Sequence, residues 1–148
     1  NNAFTAQDTT AYVTVVPSNH LERILWAEAE RMANLNVDEA NFKSERAVVQ
    51  EEYRQRVLAD PYGRLFEGLP RYGFIEHPYK RGVIGSIEDL DAATLDDVRA
   101  FHATFYRPDN AVLIVGGDFD PAELDRWVDR YFAPLKSSAT PIPRAPRR

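Results

Sequence analysis

Only two stretches carry the patterning of β-strands, and they stand almost a whole chain apart. Thr10 to Val16 alternates, with Ala11, Val13 and Val15 on one side and Tyr12, Thr14 and Val16 on the other, until Pro17 and Ser18 stop it. Ala111 to Val115 is an unbroken apolar run ended by Gly116 and Gly117, the pattern of a strand covered on both faces. Two strands alone make a marginal sheet in water, so the remaining strands are expected in a segment preceding Asn1. The sequence reads as a processed product or an excised piece, because it opens on Asn1 and its single methionine is Met32. Nothing at its front resembles a signal peptide. No internal repeat is evident.

Against these two strands stand at least four helices with start signals. Asn19 and Glu22 have the form of a capping box ahead of Leu21, Ile24, Leu25, Ala29 and Met32, which predicts a helix over about 19–34. Asp38 caps a long charged helix carrying Phe42, Val49, Tyr53 and Val57 and ending near Ala59. Asp60 with Pro61 marks a further start. The stretch Gly63 to Gly85 is broken by Gly68, Pro70, Gly73, Pro78 and Gly82 into short pieces and loop. Thr94 and Asp97 open a helix through Leu95, Val98, Phe101 and Phe105 that Pro108 closes, and Asp120, Pro121 and Glu123 open one through Trp127 to Phe132. Past Leu135 the chain turns Ser-, Pro- and Arg-rich without periodicity, a linker composition in which Arg144, Arg147 and Arg148 are solvated.

Composition removes several chemistries. The 148 residues hold no Cys, which excludes thiol catalysis, Cys-ligated zinc and iron–sulfur clusters. With 18 Lys+Arg against 23 Asp+Glu, the formal charge of -5 argues against nucleic acid as the main partner, since such binding rests on neutralising phosphates. No apolar run approaches the ~18 residues of a membrane span. A chain of this length makes one domain and buries ~68–70% of its unfolded surface. The lack of Cys leaves the compartment open.

The stretch Ser44 to Tyr53 is the most informative. Glu52 follows Glu45 by two helical turns, so the two carboxylates share a face, offset by only ~20° around the axis. That face falls between Val48 and Val49 and near Phe42, inside the apolar arc. Two unpaired carboxylates buried there require cations, donors or a metal in compensation. The alternative is a tilted helix on which both acids reach solvent or pair with Arg46, Arg56 or another residue. His20, His77 and His102 lack metal-ligand spacing and read as structural. No G-x-S-x-G elbow occurs, and Gly116-Gly117-Asp118 lacks the spacing of a dinucleotide cradle and reads as a turn.

Asn2-Ala-Phe-Thr with Asp8-Thr-Thr-Ala-Tyr12, Glu45-Arg-x-x-Val-x-x-Glu52, His77-Pro-Tyr, Gly85-Ser-Ile, and Phe105-Tyr-Arg-Pro-Asp-Asn-Ala-Val-Leu113 ahead of Gly117-Asp118 together resemble the pitrilysin/insulinase family of zinc metallopeptidases, which includes the mitochondrial processing peptidase. The resemblance runs in order from Asn2 to Leu135. It implies an α+β fold of two layers, helices packed on one face of a mainly antiparallel sheet, incomplete in this chain. It also implies that residues 1–136 are the later part of the catalytic first domain and 137–148 a linker toward a second homologous half, in the same chain or a partner subunit.

In that family zinc is held by two histidines of an H-x-x-E-H motif and by a distant glutamate. By the resemblance Glu52 is that third ligand and Glu45 supports the site by orienting ligands. Asn2, Ala3 and Phe4 match the edge strand on which a peptide or unfolded protein substrate is laid, although on the residues alone they read as a turn into a strand. The H-x-x-E-H motif does not occur in these 148 residues. The chain alone is therefore expected neither to bind zinc tightly nor to cleave peptides, with the activity belonging to a full-length parent. Two other readings stand beside this one: a structural or assembly subunit of the same fold, and a peptide-binding module using the edge strand alone. Periplasm, cytoplasm and mitochondrion all remain compatible. Apolar surface left open where further strands should pack predicts that the chain by itself self-associates or swaps domains. Sedimentation of a compact, stable monomer would count against that.

Overall fold

A computed structural model describes residues 1–144. Its secondary structure is a two-stranded antiparallel sheet and six α-helices, an α+β composition. Strands β1 (Asn2–Thr5) and β2 (Thr10–Val13) form a hairpin whose turn is closed by the Ala6 N–H donating to the Thr9 carbonyl at 2.8 Å. The helices are α1 (Leu21–Ala33), α2 (Glu39–Tyr53), α3 (Gly63–Gly73), α4 (Ile87–Ala92), α5 (Leu95–Phe105) and α6 (Pro121–Tyr131).

Capping explains where most helices begin. Asp38 accepts the Asn41 N–H at 2.7 Å, Ser86 accepts that of Asp89 at 3.1 Å, and Asp120 accepts those of Ala122 and Glu123. Thr94 and Asp97 exchange bonds in both directions, a complete capping box. The Asn19–Glu22 box does not form: a 3-10 turn at Ser18–His20 precedes α1, whose N-cap His20 makes no side-chain cap bond.

Three sequence expectations are corrected. Ala111 to Val115 is not a strand, because no strand among the described residues lies beside it to complete a ladder. Val112 and Ile114 stand exposed. The first strand ends at Val13 rather than Val16 for the same want of a partner. In the stretch expected to be loop, Gly63–Gly73 is helical despite Gly68 and Pro70. Leu65, Phe66, Leu69 and Tyr72 recur there at helical spacing, and that amphipathic period outweighs one backbone bond forfeited at proline.

The described residues divide into two compact units. The first is built on Tyr12–Asn36 and Arg99–Ile142. In it α1 packs on α6, burying Leu25 and Ala29, while Glu22 accepts the Tyr131 hydroxyl at 2.8 Å. The Tyr12 and Tyr106 hydroxyls bond at 2.6 Å, and burial followed by that bond pushes Tyr12 up to about 12. Arg31 sits over the Tyr12 ring, and His102 stacks on Tyr106.

Arg107, 6% exposed, forks onto Asp109 at 2.9 and 2.6 Å. It also donates to the carbonyls of Ser138 and Thr140, at 2.7 Å each, so the first residues of the Ser/Pro-rich stretch are tied to this unit. Arg147 and Arg148 lie outside the described residues. Hydrogen bonding from Arg107, then from Ser137, brings Asp109 down to about 2. A carboxyl lowered on folding contributes stability above its ordinary value of 3.8 and loses it as the pH falls through about 2. The wild type should therefore lose more of its melting temperature between pH 4 and pH 2 than Asp109→Asn does, and parallel curves would refute the pairing.

The second unit is built on Phe4–Ala11 and Val37–Val98. It holds α2, a π-helical extension over Arg54–Ala59, then α3 and α4. Phe74, His77 and Tyr79 form a ring cluster, with the Tyr79 hydroxyl donating to Asp8. The apolar face of α3 is open at Leu65, Phe66, Leu69 and Tyr72. This face and the exposed Val112 and Ile114 are surfaces through which the chain alone should self-associate.

Candidate functional site

Helix α2 carries both singled-out carboxylates. Asp38 caps it, and a Lys43–Glu39 ion pair of 3.1 Å supports its first turns. One side is fastened: the Arg46 guanidinium donates to the carbonyls of Asp91 and Ala93 at 3.3 Å each, and the Gln50 amide donates to the Asp91 carboxylate at 2.7 Å. Phe42, Val49 and Tyr53 are half-buried toward that side, and Val57 in the π-helical extension is buried.

Glu45 and Glu52 lie about 100° and 120° around the axis from Arg46. The expectation that their face is buried is therefore corrected. Glu45 is exposed, and Val48 between the two acids is 58% exposed. Glu52 is half-buried, its side chain 39% exposed, and it pairs with Arg56 at 3.0 Å. The apolar arc drawn from Val48 and Val49 misjudged the packed side because polar Arg46 and Gln50, not Val48, make the contacts to the end of α4. Sequence reasoning named Arg46 only as a possible counter-ion and passed over Gln50. Their i,i+4 spacing was the available signal.

The helix continues past Glu52 as π-helix, a winding often found at functional positions. Gly63, at the start of α3, comes so close to this segment that a Cβ would stand 2.6 Å from the Val57 carbonyl oxygen. Asn2, Ala3 and Phe4 lie in β1, exposed throughout, with the Asn2 side chain accepting the Ala3 N–H at 2.9 Å. Because the described sheet is β1–β2 alone, the far edge of β1 has no strand beside it. His20 and His77 end or cap helical turns, and the buried Nε2 of His102 has no partner among the described residues.

Zinc chemistry needs about three protein ligands and an open position. No group of three or more His, Cys, Asp or Glu among the described residues is placed to hold a metal ion. Glu52 is a single carboxylate whose side chain is 39% exposed and paired with the 73% exposed side chain of Arg56, on a helix held through Arg46 and Gln50.

Residues 92–148 match the family model described as the peptidase M16 inactive domain, a stretch that leaves Glu45 and Glu52 outside it. The zinc protease PqqE of Helicobacter pylori is 34% identical over 146 residues, 97% of this chain and 33% of that protein. A crystal structure of a protease from Helicobacter pylori superposes with a TM-score of 0.78 at 33% identity, over 85% of this chain and 31% of that one. The chain belongs to the pitrilysin/insulinase (M16) family. A probable mitochondrial-processing peptidase subunit beta of Schizosaccharomyces pombe is 25% identical over 93% of the chain and 30% of its own length. The chain thus spans about a third of the M16 relatives it matches. No helix among the described residues is long and apolar enough to cross a membrane.

Proposed function

We propose that this M16 chain is a part of a zinc-dependent metalloendopeptidase, with residues 1–136 in its first, catalytic domain and 137–148 opening the connection to a second homologous half. The single observation that carries the reading is the open Glu45–Glu52 stripe on a helix fastened from its other side. Relatives named as zinc proteases support it. Glu52 would be one ligand, and Glu45, two turns earlier, would orient the ligands around it. Zinc held by Glu52 and the histidine pair of an H-x-x-E-H motif elsewhere in the parent would supply an activated water for peptide hydrolysis.

The unpaired edge of β1 at Asn2, Ala3 and Phe4 would take a peptide or unfolded protein segment as an added strand, backbone bonds giving affinity and the exposed Phe4 ring preference. The second half, in cis or as a partner subunit, would close over that edge.

A second reading, a non-catalytic structural or assembly subunit, is favoured by the match of residues 92–148 to a domain described as inactive. Peptidase activity of the full-length parent, abolished by a chelator and restored by zinc alone, distinguishes the two. A parent without activity under any zinc loading would leave the structural reading standing.

A further inference from the structure

We infer that the turn Arg107-Pro108-Asp109-Asn110 is a receptor for the outgoing chain. It captures residues 137–140 as a strap, so that the segment beyond leaves the first unit from a fixed base and not on a free tether. That this segment is the connection to a second half rests on the proposed function; the capture itself does not. Composition alone makes the Ser- and Pro-rich stretch a solvated linker. The turn that receives it is held by local bonds in which the strap takes no part. The Asn110 N–H donates to the Arg107 carbonyl at 3.0 Å, and the Asn110 side-chain amide donates to the Phe105 carbonyl at 2.9 Å. Pro108 presets the backbone at the start of this 3-10 turn. Asp109, two residues on from Arg107, takes the guanidinium in a fork and so aims it.

With its two bonds to Asp109 and one each to the Ser138 and Thr140 carbonyls, the Arg107 guanidinium uses most of its donors. The Ser138 hydroxyl accepts the Thr140 N–H at 3.2 Å, a bend that brings both carbonyls to the same cation. Asp109 in turn bonds Ser137, the first residue of the strap. A buried guanidinium requires such acceptors, because an unpaired buried charge is costly, so the burial of Arg107 and the docking of the strap depend on each other. All of these partners belong to the first unit. They are internal contacts, independent of how much surface a longer parent covers. Pro141 and Pro143 follow at once, and a Pro-rich segment of this kind is a stiff, extended spacer. A fixed base and a stiff arm confine whatever the arm carries to a small volume, which raises its effective concentration over this half.

Trypsin cleavage of the full-length parent after Lys136 tests this, because Asp109 and Arg107 hold the first, second and fourth residues beyond that bond. A protease must free such a segment from its contacts before it cuts, so the rate reports local opening. Under native conditions Arg107→Ala should speed this one cut about ten- to a hundredfold, the scale on which losing bonds to a charged group shifts an opening equilibrium. Arg107→Lys, a point donor in place of a planar fork, should fall between the two. Arg126→Ala, which removes only an exposed pair with Glu123 on α6, should match the wild type. The Asp109 side chain is 45% exposed, so in Arg107→Ala water takes over its solvation and the unit keeps its fold. If Arg107→Ala is nonetheless cut throughout the unit, Arg107→Lys decides: selective cutting after Lys136 supports the strap, whereas cutting that rises at all sites together overturns it. Wild-type rates after Lys136 in both Arg107 variants overturn it as well. The product masses test the connection reading separately, since a cut that releases only a short tail would overturn that reading and leave the strap standing.

Discussion

Glu52→Gln in the full-length parent should reduce bound zinc from near one per chain to a small fraction after dialysis, and lower peptidase activity by at least about a hundredfold, the upper end of what outer-shell changes alone produce. Glutamine has the same shape, but it is neutral, and a neutral amide oxygen is a far weaker ligand for a dication than a carboxylate. The same change leaves the fold almost untouched, since it removes only an exposed i,i+4 pair with Arg56, a class worth ~0.3–0.5 kcal/mol. Bound zinc itself raises the melting temperature, so loss of zinc in the variant together with matching melting curves for the metal-free wild type and variant speaks for ligation and not for unfolding. Equal zinc content and activity in wild type and variant would remove Glu52 from the site.

Gly63→Ala should be the most disruptive small substitution in the second unit. A methyl group there would stand 2.6 Å from the Val57 carbonyl oxygen and 2.7 Å from the Val57 Cα, and closer still to the Arg56 carbonyl oxygen. All three are backbone atoms of the π-helical segment, so no side chain can turn aside, and α3 must separate from it. Overpacking of this kind costs about 3 kcal/mol, toward the upper end of its usual range. Gly73→Ala is the control: nothing lies within 4 Å of its added methyl, and the glycine has no positive φ. It should be neutral or stabilising by up to about 1 kcal/mol through the unfolded chain. Denaturant unfolding of the two variants side by side decides it, and equal midpoints would disprove the close approach at Gly63.

The parts of the fold legible in the sequence are those determined within a few residues. Asp38, Thr94 with Asp97, and Asp120 each announce a helix because the cap acceptor and the donors it satisfies lie within three positions of one another. The extent of the helix from Asp38 to Ala59 was equally readable, although its change of winding after Tyr53, where Gly63 comes close to the Val57 backbone, was not. Helix α3 escaped notice because breakers were weighed above the period of Leu65, Phe66, Leu69 and Tyr72. Ala111 to Val115 has a strand's composition but not its structure, because a strand is defined by its neighbour and none is present among the described residues.

For the candidate site the division is similar. That Glu45 and Glu52 share a face follows from helical geometry alone, and the family membership that motif order implied is supported by the M16 relatives. Which way that face points did not follow. The sequence by itself determined the capped helix starts, the shared face of the two acids and the family resemblance, because caps, periods and motif spacing act over short distances. Only the tertiary structure decided that the acidic stripe stays open, because that depends on where α4 ends; the Glu52–Arg56 pair is an i,i+4 contact that the sequence already offered. Two carbonyls more than forty positions from Arg46 hold the other side of α2, and no period or spacing in the chain encodes that contact.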